Sequence, residues 1–105
     1  MHYLFAGFSL DTDRRELRHG DGLLRLEPKA FDLLAYLIGH RSRVVSKEEL
    51  FENVWRGVSV AAGSLSFSVM KARIALDDNG DSQRTIQTVR GRGYLLGTPL
   101  QPEDA

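Results

Sequence analysis

The sequence contains no cysteine and no long apolar run, and it has only three prolines among its 105 residues. Without cysteine there can be no disulfides, no thiolate metal ligands and no cysteine nucleophile. This composition fits a reducing cytoplasm, which is the location we expect. No apolar stretch approaches the roughly 20 residues that a membrane-spanning helix needs, and the N-terminus lacks the basic and apolar regions of a secretion signal. The length fits one domain with a modest core.

Two long stretches lack acidic residues, although the whole chain has no formal net charge. Residues 53–76 and 82–102 contain no Asp or Glu. They do contain basic residues, which are Arg56, Lys71, Arg73, Arg84, Arg90 and Arg92. A helix and a hairpin that are both locally basic indicate a surface for a polyanion. The alternative is the ordinary surface charge of an amphipathic helix, and charge alone does not separate the two.

Residue patterns typical of enzymes are missing from the sequence. The three histidines are scattered and lack the spacing of metal ligands. Ser64, Ser66 and Ser68 have no evident base partner, and there is no phosphate-binding loop or paired-carboxylate site. We therefore expect no catalytic activity, no cofactor and no metal.

The N-terminal third of the chain has the pattern of a small antiparallel sheet. The aromatic and apolar segment Tyr3–Leu10 predicts a strand. Arg15–Arg18 and Leu23–Leu26 flank the turn signal His19–Gly22, which predicts a hairpin.

Three helices are predicted after this sheet. The first starts at Pro28, which suits the first turn of a helix, and apolar residues at helical spacing continue to about Gly39. The second starts at Lys47, because Ser46–Glu49 matches the S-x-x-E capping box. For the third helix Ser59 is a plausible N-cap. Its predicted core face has the spacing of four, three and four that one face of a helix requires and comprises Leu65, Val69, Ala72 and Leu76.

A β-hairpin is predicted at Arg84–Leu96, where β-branched residues surround a turn with two glycines. Two helices joined by a short turn, with a hairpin after the second, are typical of a winged helix-turn-helix. The predicted fold class is therefore α+β. We assign residues 1–97 to this domain and residues 98–105 to a linker or disordered tail.

Several segments carry a resemblance to a known family and follow its order over nearly the whole chain. These are Leu26–Leu34, Val44–Leu50, Val54–Trp55, Ala75–Asp78 and Ile86–Tyr94. The last segment ends in Thr-Val-Arg-Gly-x-Gly-Tyr, a highly specific motif. The sequence resembles the C-terminal effector domain of OmpR/PhoB-type response regulators and the N-terminal domain of CadC/ToxR-like regulators.

The resemblance implies a four-stranded N-terminal antiparallel sheet, a three-helix core and a C-terminal β-hairpin wing. It implies that the third helix enters the major groove of double-stranded DNA and that the wing reaches the adjacent minor groove. The loop between the second and third helices often contacts RNA polymerase in this family. Here that loop is expected at about Arg56–Ser59, shorter than in many members.

The implied function is that of a sequence-specific DNA-binding domain of a bacterial-type transcription regulator in phosphorelay signal transduction. The alternative is a winged-helix protein-interaction module that has lost DNA binding. Because the module begins at Met1 without a preceding receiver domain, we expect a sensory or signalling region to follow it. We also expect the domain alone to be monomeric and to pair mainly on DNA.

The candidate DNA contacts lie on the second helix, the third helix and the wing. They are Lys47, Trp55, Ser64, Phe67, Ser68, Met70, Lys71, Arg73, Thr88, Arg90, Arg92 and Tyr94. Helical projection places Ser68 on the outward side of the third helix and Arg73 on its flank. The resemblance implies that Lys71 and Arg73 match positions that bind DNA.

Some candidates have a second interpretation. Lys47 can contact phosphate or be a solvated lysine, and Trp55 can donate its indole N–H to phosphate while its ring packs in the core. Tyr94 fits the core better than a contact. The family often has basic or polar residues where this chain has Met70 and Ile74. A stripe of Phe67, Met70 and Ile74 can contact thymine methyl groups or a protein partner.

The predicted wing tip is basic and narrow. Arg90 and Arg92 flank Gly91, whose freedom to adopt positive φ permits a tight tip. Such a tip suits the narrow and electronegative minor groove. The alternative is a pair of solvated arginines.

Overall fold

Four short antiparallel strands in sequential order form the N-terminal sheet. The computed structural model describes residues 1–61 and 63–101. The strands are β1 (His2–Phe5), β2 (Phe8–Asp11), β3 (Glu16–His19) and β4 (Gly22–Leu24). The hairpin predicted around residues 19–22 is present between β3 and β4.

The single strand predicted over Tyr3–Leu10 is wrong, because the chain reverses between β1 and β2. Ala6 and Gly7 both have positive φ, at 48° and 84°, as two-residue hairpin turns of the primed type require. Phe5 then pairs with Phe8 across the turn, and both side chains are buried. The apolar run hid the turn, because alanine next to glycine is a weak turn signal.

The core is centred on the first helix, α1 (Pro28–Gly39), which starts at the predicted proline. Its fully buried side chains include Leu33, Leu34, Leu37 and Ile38. α1 packs against the third helix, α3 (Gly63–Ala75). Between them in sequence lies the short α2 (Lys47–Asn53), which starts where the capping motif predicts.

Half of the predicted capping box forms at α2. Ser46 Oγ accepts a hydrogen bond from the backbone N–H of Glu49 at 3.1 Å. The Glu49 carboxylate is engaged elsewhere, because it accepts bonds of 2.7 and 2.6 Å from the Arg43 guanidinium and another from the Tyr36 hydroxyl. These bonds from Arg43 and then Tyr36 lower the pKa of Glu49 to about 2. They also tie the end of α1 to the start of α2.

The connection between α2 and α3 is longer than the predicted loop at Arg56–Ser59. α2 ends at Asn53 and α3 begins at Gly63, so Ser59 is not the N-cap of α3. Positive φ at Arg56 and Gly57 turns the chain after α2, and the Gly57 N–H donates to Phe51 O at 3.2 Å. Residues 54–61 are the described part of this connection, and residue 62 lies outside the described residues.

The C-terminal hairpin, the wing, consists of β5 (Ile86–Val89) and β6 (Gly93–Leu96), as predicted. It is joined to the segment before α2 by two backbone bonds between Val45 and Tyr94, of 2.8 and 2.9 Å. Gly93 makes this approach possible, since a Cβ there would lie 2.0 Å from Val45 O. The wing is thus fixed at its base.

A buried carboxylate links the end of α3 to the start of β5. Asp78 accepts bonds from the backbone N–H groups of Arg84 and Thr85 and from the Thr85 hydroxyl, at 2.8–3.0 Å. Burial raises the pKa of Asp78, but the hydrogen bonds from Thr85 and Arg84 outweigh it and hold the pKa well below its usual range. The bonds fix the loop between α3 and the wing.

The C-terminal segment contacts the N-terminal sheet. The Gln101 N–H donates to Leu4 O at 2.7 Å, and Leu100 packs against the core. Residues 102–105 of the predicted linker or tail lie outside the described residues, and the domain boundary at residue 97 stays a prediction.

Candidate nucleic-acid interface

α3 has an apolar outward stripe and a buried face. Leu65, Val69 and Ala72 are buried, as the helical spacing predicts. We call Phe67, Met70 and Ile74 the α3 stripe; their exposed fractions are 46%, 44% and 62%. The half-buried Lys71 lies within the stripe, with its Nζ 5.2 Å from the centre of the Phe67 ring. This distance suits a cation–π contact.

The structure places Arg73 inside the fold. Its Nε and Nη2 donate to Ile86 O at 3.1 and 2.9 Å, and Nη2 also donates to Thr88 Oγ1 at 2.8 Å. β5 covers the flank of α3 that carries Arg73 and engages most of its guanidinium, and its role as a DNA contact stays a prediction. A projection of one helix contains no information on the neighbouring hairpin.

Ser68 is also buried, at 5% exposure, so its predicted outward orientation is wrong. It lies three residues after Leu65 and four before Ala72, and this spacing puts it on the core side of the helix. Tyr94 is buried and pairs with Val45, in agreement with the interpretation that favours the core.

The wing tip presents two exposed arginines. Arg90 and Arg92 flank Gly91, whose φ is 75°. The turn is closed by a 2.9 Å bond from the Arg92 N–H to Val89 O. Thr88 is the next-to-last residue of β5, and its hydroxyl oxygen accepts a hydrogen bond from Arg73. Its own O–H proton can therefore point outward as a donor.

A cleft at the N-terminal end of α3 brings several candidates together. It is lined by Glu27, Lys29, Trp55, Ser64 and Phe67, among others. Trp55 is 6% exposed, and no hydrogen bond is recorded for its indole nitrogen. Among the described residues no fully buried side-chain nitrogen or oxygen lacks a partner, so this nitrogen reaches the surface. The ring packs in the core while its edge faces the cleft.

Lys29 in this cleft was missed by the sequence interpretation. Its Nζ donates to Val54 O at 2.9 Å, which draws the side chain from α1 toward the end of α2. The distance of 25 positions between the two residues leaves no local sequence signal for this contact.

No carboxylate of the described residues pairs with the cations of the candidate interface. Over residues 1–61 and 63–101, the recorded ion pairs use the N-terminus and other arginines, and none includes Lys47, Lys71, Arg90 or Arg92. Lys47 is exposed at the start of α2. Cations without an ion pair among the described residues thus lie on α2, α3 and the wing tip, and Arg25 and Arg56 are among those outside these elements.

Comparison with known proteins identifies the family. Residues 21–96 match the family described as "Transcriptional regulatory protein, C terminal". The chain belongs to this family. The phosphate regulon regulator PhoB of Escherichia coli is 36% identical over 93 residues, which are 88% of this chain and 40% of PhoB. The activator CadC of Escherichia coli is 40% identical over 78 residues, 73% of this chain and 15% of CadC. The chain thus spans less than half of these relatives.

Solved structures show the same fold. The RstA DNA-binding domain of Klebsiella pneumoniae, in complex with the RstA box, matches with a TM-score of 0.80 and 28% identity, covering 90% of this chain and 95% of that one. The DNA-binding domain of Escherichia coli CadC matches with a TM-score of 0.77 and 31% identity, covering 90% of each chain. The predicted winged helix-turn-helix class and the resemblance to OmpR/PhoB-type and CadC-like domains are confirmed.

The family is one of transcription regulators and not of enzymes. In the described part of the chain there is no group of three or more His, Asp or Glu placed to hold a metal ion. No helix there is long and apolar enough to cross a membrane.

Proposed function

We propose that this domain binds a specific double-stranded DNA site for a transcription regulator, with α3 in the major groove and the wing tip in the minor groove. The observation that carries the proposal is a set of cations on α3 and the wing, the half-buried Lys71 and the exposed Arg90 and Arg92, none of which pairs with a carboxylate among the described residues. Phosphates supply the missing negative charge. The RstA domain, bound to its DNA box, has the same fold.

Within this proposal the candidate residues have different roles. Lys47, Ser64, Trp55 and Thr88 present N–H or O–H donors suited to phosphate oxygens. Phe67, Met70 and Lys71 face the base edges from α3. Arg90 and Arg92 enter the minor groove. Ser68, Arg73 and Tyr94 act within the fold and position the other residues.

The wing proposal is tested by the salt dependence of binding. A DNA site is first selected from a random pool with the purified domain. Affinity for that site is then measured against salt for the parent, Arg90→Ala and Arg92→Ala. Each phosphate-contacting arginine that is lost should lower the log–log slope by about one unit. Arg92→Lys should restore affinity only in part if the planar guanidinium lies in the groove.

Circular dichroism is the folding control for these variants, since both side chains are exposed and their removal should not change the fold. Equal slopes and equal affinities for the parent and both alanine variants would leave the arginines as ordinary surface charge. If the parent selects no site and binds no DNA, the protein-interaction alternative holds.

The connection between α2 and α3 supplies a second surface, which we propose for RNA polymerase. Val58 is 64% exposed on this connection, and it borders a groove lined also by Lys47, Phe51, Val60 and Leu65. A mainly apolar groove that also contains one cation, Lys47, and one anion, Glu52, suits a protein partner. Val58→Ser should keep DNA affinity and reduce activation in transcription reconstituted with RNA polymerase. Unchanged activation at a promoter that requires the regulator would contradict this role.

We further propose that the domain acts in the cytoplasm, has no catalytic role and needs no cofactor. The function of the domain is then binding, and assays of DNA affinity and of transcription measure it directly.

A further inference from the structure

The α3 stripe is an unusual surface for a helix that reads base edges. Its members Phe67, Met70 and Ile74 make up half of the large apolar side chains that are exposed in the described residues, the others being Met1, Leu23 and Val58. They follow one another at spacings of three and four, which places them on one side of α3. Covering their exposed apolar area with another apolar group lowers the free energy of the system.

The same side of α3 has few hydrogen-bonding groups for reading bases. Arg73 is bound to β5 through Ile86 O and Thr88 Oγ1, and Ser68 is buried. Lys71 is then the one long donor of α3 that remains beside the stripe. Ser64 and Ser66 lie at the N-terminal end of the helix, where short hydroxyl groups suit phosphates. Base recognition by α3 must therefore depend mainly on apolar contacts.

The major groove of unmodified DNA offers one apolar group for such contacts, the C5-methyl group of thymine. Adenine, guanine and cytosine present hydrogen-bond donors and acceptors there, which an apolar side chain would desolvate without a partner. A lysine within the stripe suits the O6 and N7 acceptors of guanine.

We propose that α3 reads a thymine-rich half-site through methyl contacts by Met70 and Ile74, with Lys71 on an adjacent guanine. This inference rests on the proposed function and specifies the class of DNA sequence that the domain recognises. The acid-free stretch of residues 53–76 favours DNA over a basic or neutral protein as the occupant of the stripe. Phe67 is held at the N-terminal end of the stripe, where Lys71 lies over its ring.

The test removes single methyl groups from the DNA. In the site selected from the random pool, each thymidine is replaced in turn by deoxyuridine, which keeps the base pair and lacks the methyl group. Loss of one buried methyl group should weaken binding by about fourfold. The effect should occur at the thymines that face α3 and be absent at the flanking thymines.

Protein variants connect each methyl group to its side chain. Ile74→Ala and Met70→Ala should each weaken binding to the thymine site and abolish the deoxyuridine effect at one position, because the contact is already lost. Leu23→Ala is the matched control, since Leu23 is a comparably exposed apolar residue on β4 that lines a groove together with Ile74. It should leave both the affinity and the deoxyuridine effect unchanged. Thermal unfolding of each variant controls for the fold.

The outcomes separate this inference from the proposed function. A parent domain that binds no specific DNA would overturn both. Specific binding without any deoxyuridine effect would overturn the thymine inference alone. A deoxyuridine effect that persists unchanged in Ile74→Ala and Met70→Ala would assign the methyl contact to other residues and also overturn it. Stripe variants with parental DNA affinity would show that the stripe makes no contact that DNA binding needs, and would overturn the thymine inference.

Discussion

Arg73 should stabilise the domain by fixing the wing to α3, and replacing it by methionine tests this. Methionine keeps an unbranched apolar side chain but removes the bonds to Ile86 O and Thr88 Oγ1. Hydrogen bonds from a charged donor contribute about 1.5–3 kcal/mol, and the exposed Thr88 hydroxyl can turn to water instead. We expect Arg73→Met to lower the free energy of unfolding by about 2–3 kcal/mol.

Such a loss should be measurable without unfolding the protein. A domain of this size commonly has about 5–15 kcal/mol of stability, and the expected loss corresponds to a decrease in Tm of roughly 10–20 °C. Urea and thermal unfolding followed by circular dichroism measure it. Hydrogen exchange of the β5 amides should accelerate as well, because the guanidinium bonds hold this strand.

Lys71→Met is the matched control, because it removes a cation two positions earlier on the same helix. Lys71 has no recorded hydrogen bond or ion pair with the protein, so its replacement should change stability by less than about 0.5 kcal/mol while weakening DNA binding. Arg73→Lys should recover only part of the stability, since a lysine cannot reproduce the fork that reaches both acceptors.

Parental stability of Arg73→Met would refute this reasoning. If that variant also bound DNA more weakly and lost about one unit of salt slope, Arg73 would be a direct phosphate contact after all.

Three further outcomes are expected. Gly93→Ala should destabilise the domain by at least about 4 kcal/mol, because the new Cβ would lie 2.0 Å from Val45 O. Gly91→Ala should cost about 1 kcal/mol, because the new Cβ meets no atom within 4 Å and only the positive φ opposes it. Equal unfolding midpoints for the two variants would contradict this expectation. Hydrogen bonds from Arg43 hold the pKa of Glu49 low, and this stabilisation is complete above about pH 4.5 and is lost as the pH falls toward 2. Glu49→Gln should therefore flatten this part of a curve of stability against pH. An unchanged curve would show that the ion pair is not formed in solution. Sedimentation of the DNA-free domain should give a monomer, and a tight dimer at micromolar concentration would exclude pairing that depends on DNA.

Local signals in the sequence predicted most of the elements. Pro28 and Ser46 mark the starts of α1 and α2 because a proline at the first turn and a serine N-cap act within one turn of helix. The glycines at residues 91 and 93 indicate the wing because their backbone angles are unfavourable for other residues. Each of these signals acts over a few residues, so it can be read without the fold.

Other features depend on residues that are distant in the sequence. The turn at Ala6–Gly7 brings Phe5 and Phe8 into the same core, and this long-range burial has no signal in the local sequence. α3 begins at Gly63 and not after Ser59, and Val54 and Trp55 at the start of the connection are buried in the core. The burial of these residues depends on contacts with distant parts of the chain, which the apolar and capping patterns do not contain.

The sequence by itself determined the family, the order of helices and strands, and which residues are basic and where acids are absent. The tertiary structure alone decided which of those basic residues are hydrogen-bonded within the protein. Lys71 and Arg73 are two positions apart on α3, and the same family pattern suggests both as DNA contacts. Lys71 remains beside the exposed stripe. Arg73 donates hydrogen bonds to a carbonyl oxygen of β5, 13 residues further along the chain. It does so because a charged group that a neighbouring strand covers must be hydrogen-bonded within the protein.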